Sequence, residues 1–162
     1  ATTELAYTIA HCGDYNYFSF KGMRSKRNNE LHVTSTHYDD QIALDLVRGS
    51  QRTVAIHGCE GNESVAYIGG SDDRLIELIT ESLEDIGISV REAPHHISGT
   101  QENNIVNMTQ TQGGVQLELT AQLRKELFKN RKSSRKNREN KDNWDDLMYD
   151  FADAMKKAIE RA

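Results

Sequence analysis

Residues 52–59 read Arg-Thr-Val-Ala-Ile-His-Gly-Cys, and the fold turns on how they are read. A short apolar run, Val54-Ala55-Ile56, is bounded by polar residues, as expected of a central strand in an α/β sheet. The strand stops abruptly at His57-Gly58. In such sheets ligands bind beyond the carboxyl ends of the strands. His57 therefore stands where chemistry is expected, and Gly58 lets the backbone bend beside it. Residues 114–120, Gly-Val-Gln-Leu-Glu-Leu-Thr, repeat the pattern with Glu118 near the strand end. The two strands are expected to present His57 and Glu118 to one cleft.

Working outward, Thr2 or Thr3 is a candidate cap for a short helix with Leu5, Ala6 and Ile9 inward, ending at Gly13-Asp14. Residues 15–20 alternate with aromatic residues and predict a strand, and Leu31 to Thr36 predict another, ending at His37. Between them lies a polar basic loop. Asp39 or Asp40 opens a helix that buries Ile42, Ala43, Leu46 and Val47 and stops at Gly49. Residues 65–68 form the next strand. Ser71 or Asp72 then starts a helix with Leu75, Leu78, Ile79, Leu83 and Ile86 on one face, ended by Gly87. A strand at 88–91, a long polar loop from Pro94 to Gln112, the Glu118 strand and a helix from Ala121 to Phe128 complete the body. This order predicts an α/β fold with a mixed parallel/antiparallel sheet and helices on both faces. The division expected is an α/β domain over 1–128, a basic flexible linker over 129–141 and an amphipathic helix over 142–162. The linker has no apolar residue. The helix is marked by Trp144, Leu147, Met148, Phe151, Met155, Ala158 and Ile159, with Asp142 as its cap.

A chain of 162 residues buries a real core. Its net charge of -5 is uneven: residues 129–141 hold seven of the 20 bases and one of the 25 acids, leaving 13 bases against 24 acids elsewhere. An acidic body with one basic segment is no general nucleic-acid signature. Cys12 and Cys59 are expected to be free thiols. No run is long enough for a membrane span and no signal peptide is evident. The chain opens at Thr2-Thr3-Glu4-Leu5-Ala6 as if inside a helix, so the natural protein is expected to begin earlier. No Gly-x-Ser-x-Gly elbow, phosphate loop or paired-cysteine motif appears.

His57 is the first candidate for chemistry. A neutral imidazole at a strand end is a good zinc ligand, and zinc lowers the pKa of bound water to roughly 7. The competing reading is a histidine satisfied by a turn carbonyl. Glu118 is a candidate general base, or else a solvent-facing glutamate of an alternating strand. His37 is a candidate for substrate or metal, or a surface histidine, and His95-His96 is expected to be exposed. The basic run is either a solvated linker or a source of salt-dependent affinity for a polyanion.

Six segments in order resemble the poly-γ-glutamate hydrolases, zinc peptidases of phages and Bacillus. They are Thr3-Glu4-Leu5-Ala6, Leu31 to Asp39, Ala55-Ile56-His57-Gly58-Cys59, Tyr67-Ile68-Gly69-Gly70, Asn104-Ile105-Val106-Asn107 and Gly114 to Leu119. The resemblance spans residues 1 to about 128. It implies a zinc-carboxypeptidase-like core, a Zn2+ cofactor and extracellular cleavage of the γ-glutamyl amides of the capsule polymer. On that pattern His57 matches a metal ligand and Glu118 the glutamate base, while His37 and Asn107 fall in segments that line the substrate cleft. The family's first two ligands come from a His-Gly-Gly-Gly-Ile-Glu segment just before the Thr-Glu-Leu-Ala helix, where this chain begins. Met108 stands where the family tends to have arginine, which removes a bidentate partner for a carboxylate; Arg74 or the Arg24 to Arg27 loop are the candidate substitutes. The alternatives are a non-catalytic phage protein that binds a polyanion, poly-γ-glutamate or nucleic acid, and an inactive relative that binds the polymer without cutting it.

Overall fold

The computed structural model describes residues 1–162 apart from the side chain of Asn29. Its four strands are β1 (Val54–Gly58), β2 (Val65–Gly70), β3 (Ser89–Glu92) and β4 (Val115–Leu119), in the order β1-β4-β2-β3. β4 runs parallel to β1 and antiparallel to β2, and β2 runs parallel to β3, so the sheet is mixed as expected. The central, fully buried strand is β4, all five of whose residues are buried. β1, read from sequence as central, is an edge strand in this sheet and only half-buried. Three apolar residues in a row do not distinguish an edge over a cavity from a strand covered on both sides.

Alternation along β4 sends Val115, Leu117 and Leu119 to one face, where Ala66 and Ile68 of β2 join them in the core. Helices α1 (Thr2–Gly13), α3 (Asp73–Asp85) and α6 (Asp146–Glu160) close that face, α6 packing on both of the others. Met148, Phe151, Met155 and Ala158 of α6 are completely buried there, so the terminal helix shares the core of the sheet. On the opposite face lie residues 93–114, including short 3-10 turns at His95–Ile97 and Ile105–Asn107, and α2 (Gln41–Gly49) packs against the second of these. Short helices α4 (Ala121–Glu126) and α5 (Arg135–Arg138) lead to α6.

The covering segment approaches closely because of glycine. A Cβ on Gly69 would collide with the Ser98 carbonyl, which instead accepts the Gly70 N–H at 2.7 Å. Gly70 itself has φ +117°, in the region that favours glycine.

The helix starts follow the expected chemistry in two cases. Asp40 accepts the Ala43 N–H and Asp72 the Leu75 N–H, each at 3.0 Å. Elsewhere they differ. Ala1 precedes α1 without a side-chain cap, and Thr2 and Thr3 lie inside the helix. Asp145, not Asp142, caps α6, because Trp144 is taken up in a bridge with Phe128.

Two predicted strands are absent. Residues 15–20 carry no ladder; their aromatic residues pack edge to face instead, Tyr17 on Tyr7 and Phe18 on Tyr38. Residues 31–36 contribute instead to 3-10 turns at Asn28–Leu31 and Ser35–His37. No helix among the described residues is long and apolar enough to cross a membrane.

Candidate functional site

Strand register assembles the site. His57 of β1 is aligned with Glu118 of β4, and Glu118 with Tyr67 of β2. Residues aligned across neighbouring strands project to the same face, so the three form a row on the face away from α1, α3 and α6. Glu118 is 7 % exposed, which removes the reading of a solvent-facing glutamate.

A buried amide chain holds the carboxylate. Gln116, two residues back on the same face, donates from Nε2 to Glu118 Oε1 at 3.2 Å and to the Ile97 carbonyl at 3.1 Å. Asn104 Nδ2 donates in turn to Gln116 Oε1 at 3.2 Å. Burial pushes the Glu118 carboxyl up to about 7, against the opposing pull of the Gln116 hydrogen bond and the Arg124 charge. Burial also lowers the His57 pKa, helped by nearby His32. At neutral pH the site therefore holds a neutral imidazole and a carboxyl poised to accept a proton. Arg124 ties the ends of the two strands, donating from Nε to the Leu119 carbonyl at 3.1 Å and from Nη2 to that of Cys59 at 2.9 Å.

A cavity of about 730 Å³ runs along the outer edge of β1. Ala6 and Ile9 of α1, Leu46 of α2, Phe18, His32 and His57 help to line it; Glu118 does not. His57 thus opens on the cavity while Glu118 sits one strand further in. A catalytic zinc takes three protein ligands. Among the described residues no three His, Cys, Asp or Glu side chains converge in that way. The chain's own residues therefore do not fit a zinc centre, although neutral His57 has the right donor chemistry.

The remaining candidates lie apart. His37 is exposed on the Ser35–His37 turn, its Nδ1 3.2 Å from Thr34 Oγ1, and its neighbours Ser35 and Tyr38 line the cavity instead. Asn107 is buried and committed within the fold: its Nδ2 donates to the carbonyls of Gly99 and Gln101, and its Oδ1 accepts from Ser71 at 2.7 Å. His95 and His96 are exposed, and both cysteines are free. Sequence reasoning missed Gln116, Asn104 and His32. The period-two pattern held a signal for Gln116, since Gln116-x-Glu118 share a face; nothing in the pattern marked Asn104 or His32.

The profile of the family described as Poly-gamma-glutamate hydrolase matches residues 1–154, past the point where the resemblance read from sequence stopped. The SPbeta prophage-derived protein YoqZ of Bacillus subtilis (strain 168) is 35% identical over 129 residues, covering 78% of this chain and 46% of that protein. YmaC of the same strain is 31% identical over 155 residues, covering 91% of this chain and 62% of that protein. The chain thus spans about half the length of these curated relatives. A solved bacteriophage poly-gamma-glutamate hydrolase superposes with a TM-score of 0.92 at 31% identity, covering 98% of this chain and 76% of that one. Zinc-free apo YndL superposes with a TM-score of 0.84 at 26% identity, covering 97% and 76%.

Proposed function

The chain belongs to the Poly-gamma-glutamate hydrolase family, and on that premise we propose that it carries the base-bearing part of a site that hydrolyses γ-glutamyl amide bonds in poly-γ-glutamate. The observation that supports this reading most is the buried Glu118, lifted to about 7 and aligned with neutral His57 on one sheet face. In this proposal Glu118 takes the proton of an attacking water, and Gln116 and Asn104 hold its carboxylate in place. His37, exposed and tied only to Thr34, is free to meet the substrate, whereas Asn107 acts through the 99–104 loop it holds. His57 is the one residue here that would serve as a zinc ligand, and the zinc-free state named for YndL supports a metal in the family. One imidazole with His32 nearby does not complete a zinc set, so no step is assigned to the metal. The polymer is a capsule component, so the proposed place of action is extracellular.

Polymer size on a gel, after incubating the chain with poly-γ-glutamate with added zinc and with chelator, tests the reading. Shortening that is lost in Glu118→Gln supports it, and dependence of that shortening on zinc would show that a metal joins His57. Full activity in Glu118→Gln removes Glu118 as the base. No shortening in any lane sinks hydrolysis by this chain and leaves the second reading, polymer binding without cleavage.

A further inference from the structure

The fold brings together two basic segments that lie a hundred residues apart in sequence. The loop 21–30 contributes Lys21, Arg24, Lys26 and Arg27, and the segment 129–141 contributes seven more bases. They meet where Arg135 donates to the Met23 carbonyl at 3.5 Å and Lys21 pairs with Glu139 at 3.9 Å. The two stretches hold eleven bases and two acids; the rest of the chain holds nine bases and 23 acids. The two acids are already engaged within the patch, Glu30 with Arg24 and Arg27, Glu139 with Lys21 and Arg135. Lys26, Lys132 and Lys136 are exposed and carry no ion pair among the described residues. One strongly positive surface therefore stands on an otherwise acidic molecule.

Its position links it to the cavity. The basic loop leaves the cavity lining at Phe20 and returns to it at Leu31, and His32 and His57 line the same cavity.

We infer that this surface is a binding site for an extended polycarboxylate, one that holds a long γ-glutamyl chain while another part of it lies in the cavity. The inference rests on the proposed substrate. Unpaired lysines on flexible stems suit a flexible chain bearing one carboxylate per residue, because each is a compact point charge that asks for no fixed geometry. The acidic remainder of the molecule repels any polyanion, so productive approach is steered through this surface and weakens with salt. Neither basic stretch contains an aromatic residue, and of the rings beside them Tyr7 and Trp144 already carry the Lys141 ammonium, so the patch lacks the run of stacking platforms of a single-stranded nucleic-acid groove.

The test compares the full chain with its Lys26→Gln/Lys132→Gln/Lys136→Gln variant, both in a Glu118→Gln background that keeps the polymer intact. Affinities for fluorescent long poly-γ-glutamate, for γ-linked tri-glutamate and for single-stranded DNA are read by anisotropy over a salt series. The expected result is about a tenfold loss of affinity for the long polymer in the triple variant, a shallower salt dependence and no change for the short oligomer. Unchanged affinity for the long polymer, or equal losses for long and short, overturns the site. Tighter binding of DNA than of polymer, lost in the variant, overturns the polycarboxylate as its ligand. Cleavage is read separately with the Glu118 chain, so a failure of hydrolysis leaves this binding result intact.

Discussion

At the scale of single residues, Glu118 combines three conditions: burial, one hydrogen-bonded neighbour and alignment with a neutral histidine. Its raised pKa has a cost for folding. Between 4.5 and about 7 the folded chain binds the proton that the unfolded chain has released, so stability falls as pH climbs through that window. Glu118→Gln should therefore be more stable than the parent at pH 8, by up to about 3 kcal/mol, and show no such gain at pH 4. A variant less stable at pH 8 would mean the carboxylate is better satisfied than its burial implies. The activity of the parent should rise with pH through about 7 as the base is freed. Gln116→Met removes the donor that favours the carboxylate, so the same rise should move to higher pH; an unmoved profile would show that Gln116 only packs. Glu118 and His57 were legible because strand ends in α/β sheets are where ligands bind, and the spacing of each strand was clear. Asn104 was legible only through the resemblance, whose Asn104-Ile105-Val106-Asn107 segment it opens; by pattern alone, a polar residue in a polar loop carries no sign that the loop will be folded onto a sheet.

Elements were legible where one periodicity had one physical outcome. The apolar face of α3 and the caps Asp40 and Asp72 appear as expected. The aromatic alternation of 15–20 was ambiguous in kind: the same side chains satisfy themselves by ring packing when no strand edge is paired with them. The stretch 94–112 reads as a solvated loop, yet it covers the sheet face that carries Glu118, through Asn107 and the close approach at Gly69. Asn107→Ala should cost about 1–3 kcal/mol by leaving the Gly99 and Gln101 carbonyls without their donor. Limited proteolysis should then cut first between residues 95 and 112. Cleavage elsewhere at an unchanged rate would show that backbone contacts alone hold the segment.

For the molecule as a whole, charge segregation was legible from composition, but the meeting of its two basic stretches was not, since only the tertiary fold brings Arg135 to Met23. The helical period of the tail was equally plain, whereas its partner was not; the structure seats it on α1 and α3. Phe151→Ala should cost about 3–5 kcal/mol, measured by denaturant unfolding of the entire chain in one transition. An unchanged midpoint would mean that α6 melts independently. Calorimetric titration should find no tight, stoichiometric zinc binding by this chain alone, because three ligands do not converge; a tight site abolished by His57→Ala would reveal partners not brought together in this arrangement. The single tryptophan adds a last consequence. Trp144 is fixed between α6 and the basic segment, its indole N–H on the Arg138 carbonyl at 2.8 Å and the Lys141 ammonium 5.6 Å from its ring. Any polymer that draws Lys141 off that ring alters the indole's emission, so the molecule carries its own optical label at the surface where a polyanion would first touch it.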